Sequence, residues 1–280
     1  MKEHQAYTVR RIMSRVFWIF FILIILSFFL IPIYWVASMA FKNFFDTFDL
    51  PPKWIFKPTL LGFKIAFNTR PILRWTINSL IISVGGTILS LALGVPAGYC
   101  LARAQFWGKR MMWNGILLTR VIPPIVIVLP VRVFMQSIGL FGTQLAVILY
   151  TAVFNATFTA WIMSGFFESI PVDIEDMALI DGCSPIGAFW RIALPLCKPG
   201  LVTVTLFSFI FTWNDFLGAL TLTSPETATL PIGIMSGAGQ LAVQWNVLAA
   251  ICLIAIIPVM VLCISLQRYY VSGLTLGAIK

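Results

Sequence analysis

Residues 171–201 read PVDIEDMALIDGCSPIGAFWRIALPLCKPGL, and this stretch decides the fold because it interrupts a succession of long apolar runs. It is acidic at its start, punctuated by Pro and Gly, and amphipathic, which marks a docking element and not a membrane span. Two short helices are expected here. Asp173 is placed to cap the first, and Ser184-Pro185 supplies a cap and a first-turn proline for the second. Gly182 falls where the first helix has to end. Glycine enters the left-handed region without steric cost and, lacking a side chain, admits another backbone close by. The result is a sharp helical elbow.

Outward from the elbow, composition sets the class. The chain has 280 residues, 60% of them hydrophobic and 10% charged, with a mean hydropathy of +0.96, whereas soluble domains carry about 25% charged residues. This is the signature of an all-α polytopic membrane protein. The net charge of +9 does not point to nucleic acid, because the basic residues are scattered over loops and no Arg/Lys-rich helix or aromatic RNA-binding pattern occurs. Cys100, Cys183, Cys197, Cys252 and Cys263 have no C-x-x-C spacing, so neither a disulfide framework nor a zinc site is expected, and the single histidine, His4, excludes an H-E-x-x-H centre. The basic start followed by an apolar run is too long for a signal peptide and lacks a small-residue cleavage site.

Six spans are expected, at about 16–39, 78–101, 112–134, 145–167, 200–222 and 247–266, as one transmembrane domain over 16–280 behind a cytoplasmic tail at 1–15. Lys2, Arg10, Arg11 and Arg15 place the N-terminus inside, and an even number of spans places the C-terminus there too. The segment 41–76 becomes an external loop although Lys42, Lys53, Lys57, Lys64, Arg70 and Arg74 run against the positive-inside tendency. In the second span Gly85, Gly86, Gly94 and Gly98 offer surfaces for close helix contact. In the third, Pro123, Pro124 and Pro130 must interrupt the hydrogen-bond ladder. The loop 168–199, with the elbow, falls on the cytoplasmic side.

The elbow resembles the cytoplasmic loop signature of permease subunits of binding-protein-dependent ABC importers, E-A-A, three residues, G, nine residues, I, one residue, L-P. Gly182, Ile192, Leu194 and Pro195 match at full spacing, while Asp176 stands at the Glu position, Met177 and Ala178 at the two Ala positions, and Glu175 one residue earlier. TWNDF at Thr212–Phe216 and the tail QRYYVSGLTLGAIK are similar to the carbohydrate, maltose-permease-like branch. The resemblance implies the type I importer permease fold with cytoplasmic coupling helices. It also implies a heterodimer with a second permease subunit, two ATP-binding subunits, an external solute-binding protein and a sugar or oligosaccharide cargo, in a bacterial or archaeal inner membrane. ATPase coupling is then expected from Asp173, Glu175, Asp176, Met177, Ala178, Asp181, Gly182, Ile192, Leu194 and Pro195. No G-x-x-x-x-G-K-[ST] loop occurs, so no cofactor is expected on this chain, and ATP and Mg belong to the partner ATPases.

Polar residues inside spans are the candidates for the substrate pathway. Asp215 lies fifteen residues into the fifth expected span, or roughly 22 Å from its inner end at 1.5 Å per residue. Asn214 and Asp215 offer hydrogen bonds to sugar hydroxyls, with Trp213 or Phe216 as a stacking face. Arg120, near mid-depth in the third span, needs a buried partner, either Asp215 or a carbonyl freed near Pro123, because a lone Arg there costs at least ~2.5 kcal/mol. Asn155 of the fourth span reads as a helix-to-helix bond or a substrate contact. The rival class is an ATP-independent secondary transporter or channel, but Asp215 is the only acid inside a span and the elbow would have no task. No G-x-S-x-G or paired intramembrane carboxylates support a membrane enzyme.

Overall fold

The computed structural model describes the backbone of residues 2–238 and 243–276, and the side chains of 13–116, 118–236 and 243–267. Among these residues every regular element is helical: α1 Lys2–Ala40, a 3-10 turn Phe45–Thr47, α2 Leu61–Thr69, α3 Ile72–Arg103, α4 Lys109–Val121, α5 Pro124–Ser137, α6 Gln144–Glu168, α7 Val172–Ile180, α8 Pro185–Ala188, a π turn Phe189–Ala193, α9 Leu194–Leu196, α10 Lys198–Trp213, α11 Leu217–Leu222, α12 Leu230–Ala238 and α13 Trp245–Leu276. Four stretches are long and apolar enough to cross a membrane by themselves, Met13–Ala40, Ile72–Arg103, Gln144–Glu168 and Trp245–Gln267, and the number rises to six if each of two bent pairs is one span.

The first pair is the third expected span, interrupted at Pro123-Pro124 as its prolines imply, and the fifth expected span also breaks. The third becomes α4 and α5, which meet at 98°, because Pro123 and Pro124 have no N–H to give and Pro123 is held in an extended conformation. The fifth does not run unbroken to Leu222. Its helix α10 stops at Trp213, residues 214–216 leave the helix, and α11 resumes at Leu217. At its other end α10 makes an angle of 79° with the segment Pro185–Leu196.

The chain forms two compact units, residues 71–236 with 255–280, and residues 1–70 with 237–254. In the larger, α3 runs along α6 and α10 packs on both. Close approach depends on Gly94, where a Cβ would stand 2.6 Å from the Thr159 Cβ and 2.7 Å from the Ala156 carbonyl oxygen. One apolar cluster, with Ile82, Val128, Met135, Val147 and Leu222, fills the end of the bundle near α5 and α11. Another, with Val95, Met163, Phe167, Phe189, Cys197 and Val204, fills the end near the elbow. Along the same three helices lies a buried polar seam: Ser83, Thr87 and Ser90 of α3, Thr151, Asn155 and Thr159 of α6, Ser208 and Thr212 of α10.

The smaller unit packs Ala40 and its neighbours Met39 and Phe41 with Phe63, Ala249, Ala250 and Leu253. The expected external loop 41–76 is largely folded. It contains α2, and α3 already begins at Ile72. Lys42 is only 2% exposed, its Nζ lying 4.6 Å from the Trp35 ring centroid and 5.1 Å from that of Phe56, which compensates part of its lost hydration. Trp54 stacks on Tyr34. Lys53 pairs with Asp49 at 2.6 Å and Asp46 at 3.1 Å, and these carboxylates hold its ammonium above its ordinary pKa.

Candidate functional site

The elbow forms from two helices, as its sequence implies, but not with the expected caps throughout. Ser184 caps α8, its hydroxyl accepting from the Gly187 N–H at 3.1 Å, with Pro185 in the first turn. Asp173 does not cap α7. The helix starts at Val172 behind Pro171, whose ring pre-sets the entry, and Asp173 and Glu175 sit within its first turn, where acidic groups favour the helix dipole. Gly182 ends the helix with φ +86°, the left-handed stop. Among the described residues, apart from its two chain neighbours, no atom lies within 4 Å of where its Cβ would stand, so the close backbone approach expected there is not made by them.

The ten expected coupling residues divide by face. Asp173, Asp176, Met177, Asp181, Gly182 and Pro195 are exposed, Ile192 and Leu194 half-buried, and Ala178 buried. Glu175, unlike its exposed neighbours, is 4% exposed and turned into its own chain. Its Oε1 accepts from Arg103 Nη2 at 2.7 Å and Nε at 2.9 Å, and its Oε2 accepts from the Tyr99 hydroxyl at 2.6 Å. Arg103 Nη2 also donates to the Ile170 carbonyl at 2.9 Å. The outer surface of the elbow is completed by Ile174, Leu179, Ile180, Ile186 and Trp190, apolar side chains left exposed. An apolar surface studded with three carboxylates suits protein docking better than lipid.

The pathway candidates are not brought together as the sequence suggested. Arg120 and Asp215 do not pair. Arg120 Nη2 donates to the Phe154 carbonyl at 2.9 Å and its guanidinium lies 5.0 Å from the Phe158 ring centroid, so α6 satisfies it. Asp215 sits in the break after α10, where its Oδ1 accepts from the Gly218 N–H at 3.3 Å in the first turn of α11, while Oδ2 is buried without a hydrogen-bond partner. The carboxylate and the Tyr150 ring both press on Gly218, leaving no space for a Cβ. Trp213 offers no stacking face. It is 3% exposed, stacked on Phe209, with Nε1 donating to the Ala255 carbonyl at 3.2 Å. Asn214 is exposed and its Nδ2 donates back to the Ile210 carbonyl at 2.9 Å. Asn155, 4% exposed, donates to Thr212 Oγ1 at 2.9 Å and to the Ser208 carbonyl at 3.4 Å, joining α6 to α10 inside the polar seam.

Sequence reasoning missed Tyr99, Tyr150, Gly218 and the structural role of Arg103. Arg103 ends an apolar helix, and in sequence such a residue carries the same signal as any topology marker. Glu175 and Ala178 lie three apart on one face of α7 and are both buried, so the small Ala178 was the available sign that Glu175 turns inward.

Comparison with known proteins completes the picture. Residues 90–275 match the family described as binding-protein-dependent transport system inner membrane component. The chain is 34% identical over 94% of its length to the trehalose transport system permease protein SugB of Mycobacterium tuberculosis, covering 97% of that protein. It is 33% identical over 90% of its length to the sulfoquinovosyl glycerol transport system permease protein SmoH of Agrobacterium fabrum, covering 89% of it. In fold it is similar to a chain of a bacterial ABC transporter involved in the import of the acidic polysaccharide alginate, with a TM-score of 0.76, 23% identity, and 91% of this chain and 97% of that one covered. An elbow between apolar helices and a family match that takes in α6 through α12 agree: the chain belongs to the binding-protein-dependent transport system inner membrane components, a multi-pass permease family.

Proposed function

We propose that this chain is one transmembrane half of an ATP-driven importer that carries a sugar or oligosaccharide delivered by an external solute-binding protein. It pairs with a second permease subunit in the inner membrane, both termini face the cytoplasm, and two ATP-binding subunits hydrolyse ATP with Mg beneath it. The observation that carries the reading is the exposed elbow surface, which leaves Asp173, Asp176 and Asp181 exposed together with Ile174, Met177, Ile180, Ile186 and Trp190. Such a surface has no use in a self-sufficient transporter. The sugar class is supported by the names of SugB and SmoH. Exposed Asn214, beside the break at Asp215, is the chain's contribution of polar groups to the pathway.

The test is to purify the chain with whatever copurifies and to measure ATP hydrolysis with and without candidate sugars on their binding protein. Two nucleotide-binding subunits should accompany it, and hydrolysis should rise with the loaded binding protein. A chain that purifies alone and moves solute in vesicles without ATP would establish the secondary-transporter alternative instead.

A further inference from the structure

Both helices of the elbow reach the same side chain. Tyr99, four residues before the end of α3, donates its hydroxyl to Glu175 of α7 at 2.6 Å. Its ring lies 4.8 Å from that of Phe189, the first residue of the π turn, and 5.2 Å from that of Phe167 near the end of α6. One turn further along α3, Arg103 closes its fork on Glu175 Oε1 and, through the Ile170 carbonyl, holds the chain entering α7. Phe189 and Phe167 belong to the apolar cluster that also contains Cys197 and Val204. Thus α7, the π turn, the end of α6 and the end of α3 meet at one tyrosine and one ion pair.

Stability alone is a poor account of this arrangement. Burying a carboxylate and a guanidinium costs more in desolvation than their attraction commonly returns, and a well-packed apolar replacement is often as stable. What the charged pair adds is geometry. A forked guanidinium and a phenol on a single carboxylate fix its position and orientation, whereas apolar packing lets helices slide. The other α7 residues apart from Ala178 are exposed, so Glu175 is the polar group of α7 that fixes where the elbow sits relative to the spans.

We propose that Tyr99, Arg103 and Glu175 are positioning residues that make the elbow and the Arg103 end of α3 one rigid body. Displacement of the elbow by an ATPase then moves α3, and with it α6, and is not absorbed by the short links at 169–171 and 181–184. The inference rests on the ATPase-driven reading above. It adds that transmission runs through α3, a helix separated in sequence from the docking loop, as well as through the directly connected α6 and α10.

The test uses the assembled transporter with nitroxide labels at two exposed positions, Leu93 on α3 and Val172 on α7. The Leu93–Val172 distance should be the same in the nucleotide-free and nucleotide-trapped states, while a label pair between Val172 and the second permease subunit changes. In Tyr99→Phe and Glu175→Gln the Leu93–Val172 distribution should broaden. Solute moved per ATP hydrolysed should fall about 5-fold or more, with the amount of assembled complex unchanged. The exchange Arg103→Glu with Glu175→Arg should restore part of that ratio.

A Leu93–Val172 distance that shifts with nucleotide while transport proceeds would overturn the rigid connection. Loss of assembled complex in step with loss of transport would assign the triad to folding alone and overturn its coupling role. Absence of any copurifying ATPase would overturn both this inference and the reading beneath it, an outcome distinguishable from the first two before any label is attached.

Discussion

Arg120 and Asp215 have separate partners, and this reverses what two lone intramembrane charges suggest. The Phe154 carbonyl and Phe158 ring hold the guanidinium, and the Gly218 N–H holds one oxygen of the carboxylate. Losses of assembled protein in Arg120→Leu and Asp215→Asn should therefore add within about 0.3–0.5 kcal/mol. Recovery in the double variant, measured as folded transporter in detergent, would show a pairing that this arrangement lacks. Asn155 behaves differently because its bonds cross from α6 to α10. Asn155→Ala should cost about 0.6 to 1.7 kcal/mol, the range found for hydrogen bonds between membrane helices. A denaturation series in mixed micelles reads that loss, and an equal loss in Thr212→Val without further loss in the double variant would tie it to this bond. The sequence marked all three residues as unusual but not whom they meet, since Phe154 is 34 residues from Arg120 and a backbone carbonyl leaves no trace in composition.

Among the elements, the elbow and α11 make the sharpest contrast in legibility. The elbow's stop at Gly182 and start at Ser184 were readable because both depend on local chemistry, a left-handed glycine and a serine cap. The break after Trp213 was not, because the apolar run continues through LGALTL with no proline to mark it. It is produced by Asp215 accepting from the Gly218 N–H, a local bond, and by Tyr150 packing on Gly218, a contact that exists only once α6 is alongside. At Gly182 the left-handed backbone makes any L side chain strained by roughly 1–2 kcal/mol, though the described residues leave the space free. Gly182→Ala should therefore insert and assemble with slightly weakened transport, and Gly182→Leu should uncouple ATP hydrolysis from transport by obstructing whatever docks there. Equal, full transport in both variants would mean that the docked surface lies elsewhere on the elbow.

At the scale of the whole molecule, the membrane class and the helical fold were legible because long apolar runs have no other stable form, and the family match agrees with them. The aromatic and basic segment 41–76 was read only as a loop. Its order depends on pairings such as Lys42 with Trp35 and Phe56 that periodicity does not encode. If ATP binding alternates access, a label at the exposed Leu220 of α11 and its counterpart on the second permease should change separation with trapped nucleotide only when the ATPases are bound. Unchanged separation with solute still crossing would make the elbow an anchor. The π turn at Phe189–Ala193 has a consequence for chain length. A π turn is an α-helix with one residue too many, taken up in a single wide turn. Deleting Trp190 would therefore restore ordinary helix and leave Ala193 and Cys197 facing the core, whereas deleting a residue from an ordinary α-helical turn rotates everything after it by about 100°. The loop can lose one residue at this place without re-aiming the span that follows, which makes the wide turn a reserve of chain length between Gly182 and Leu194.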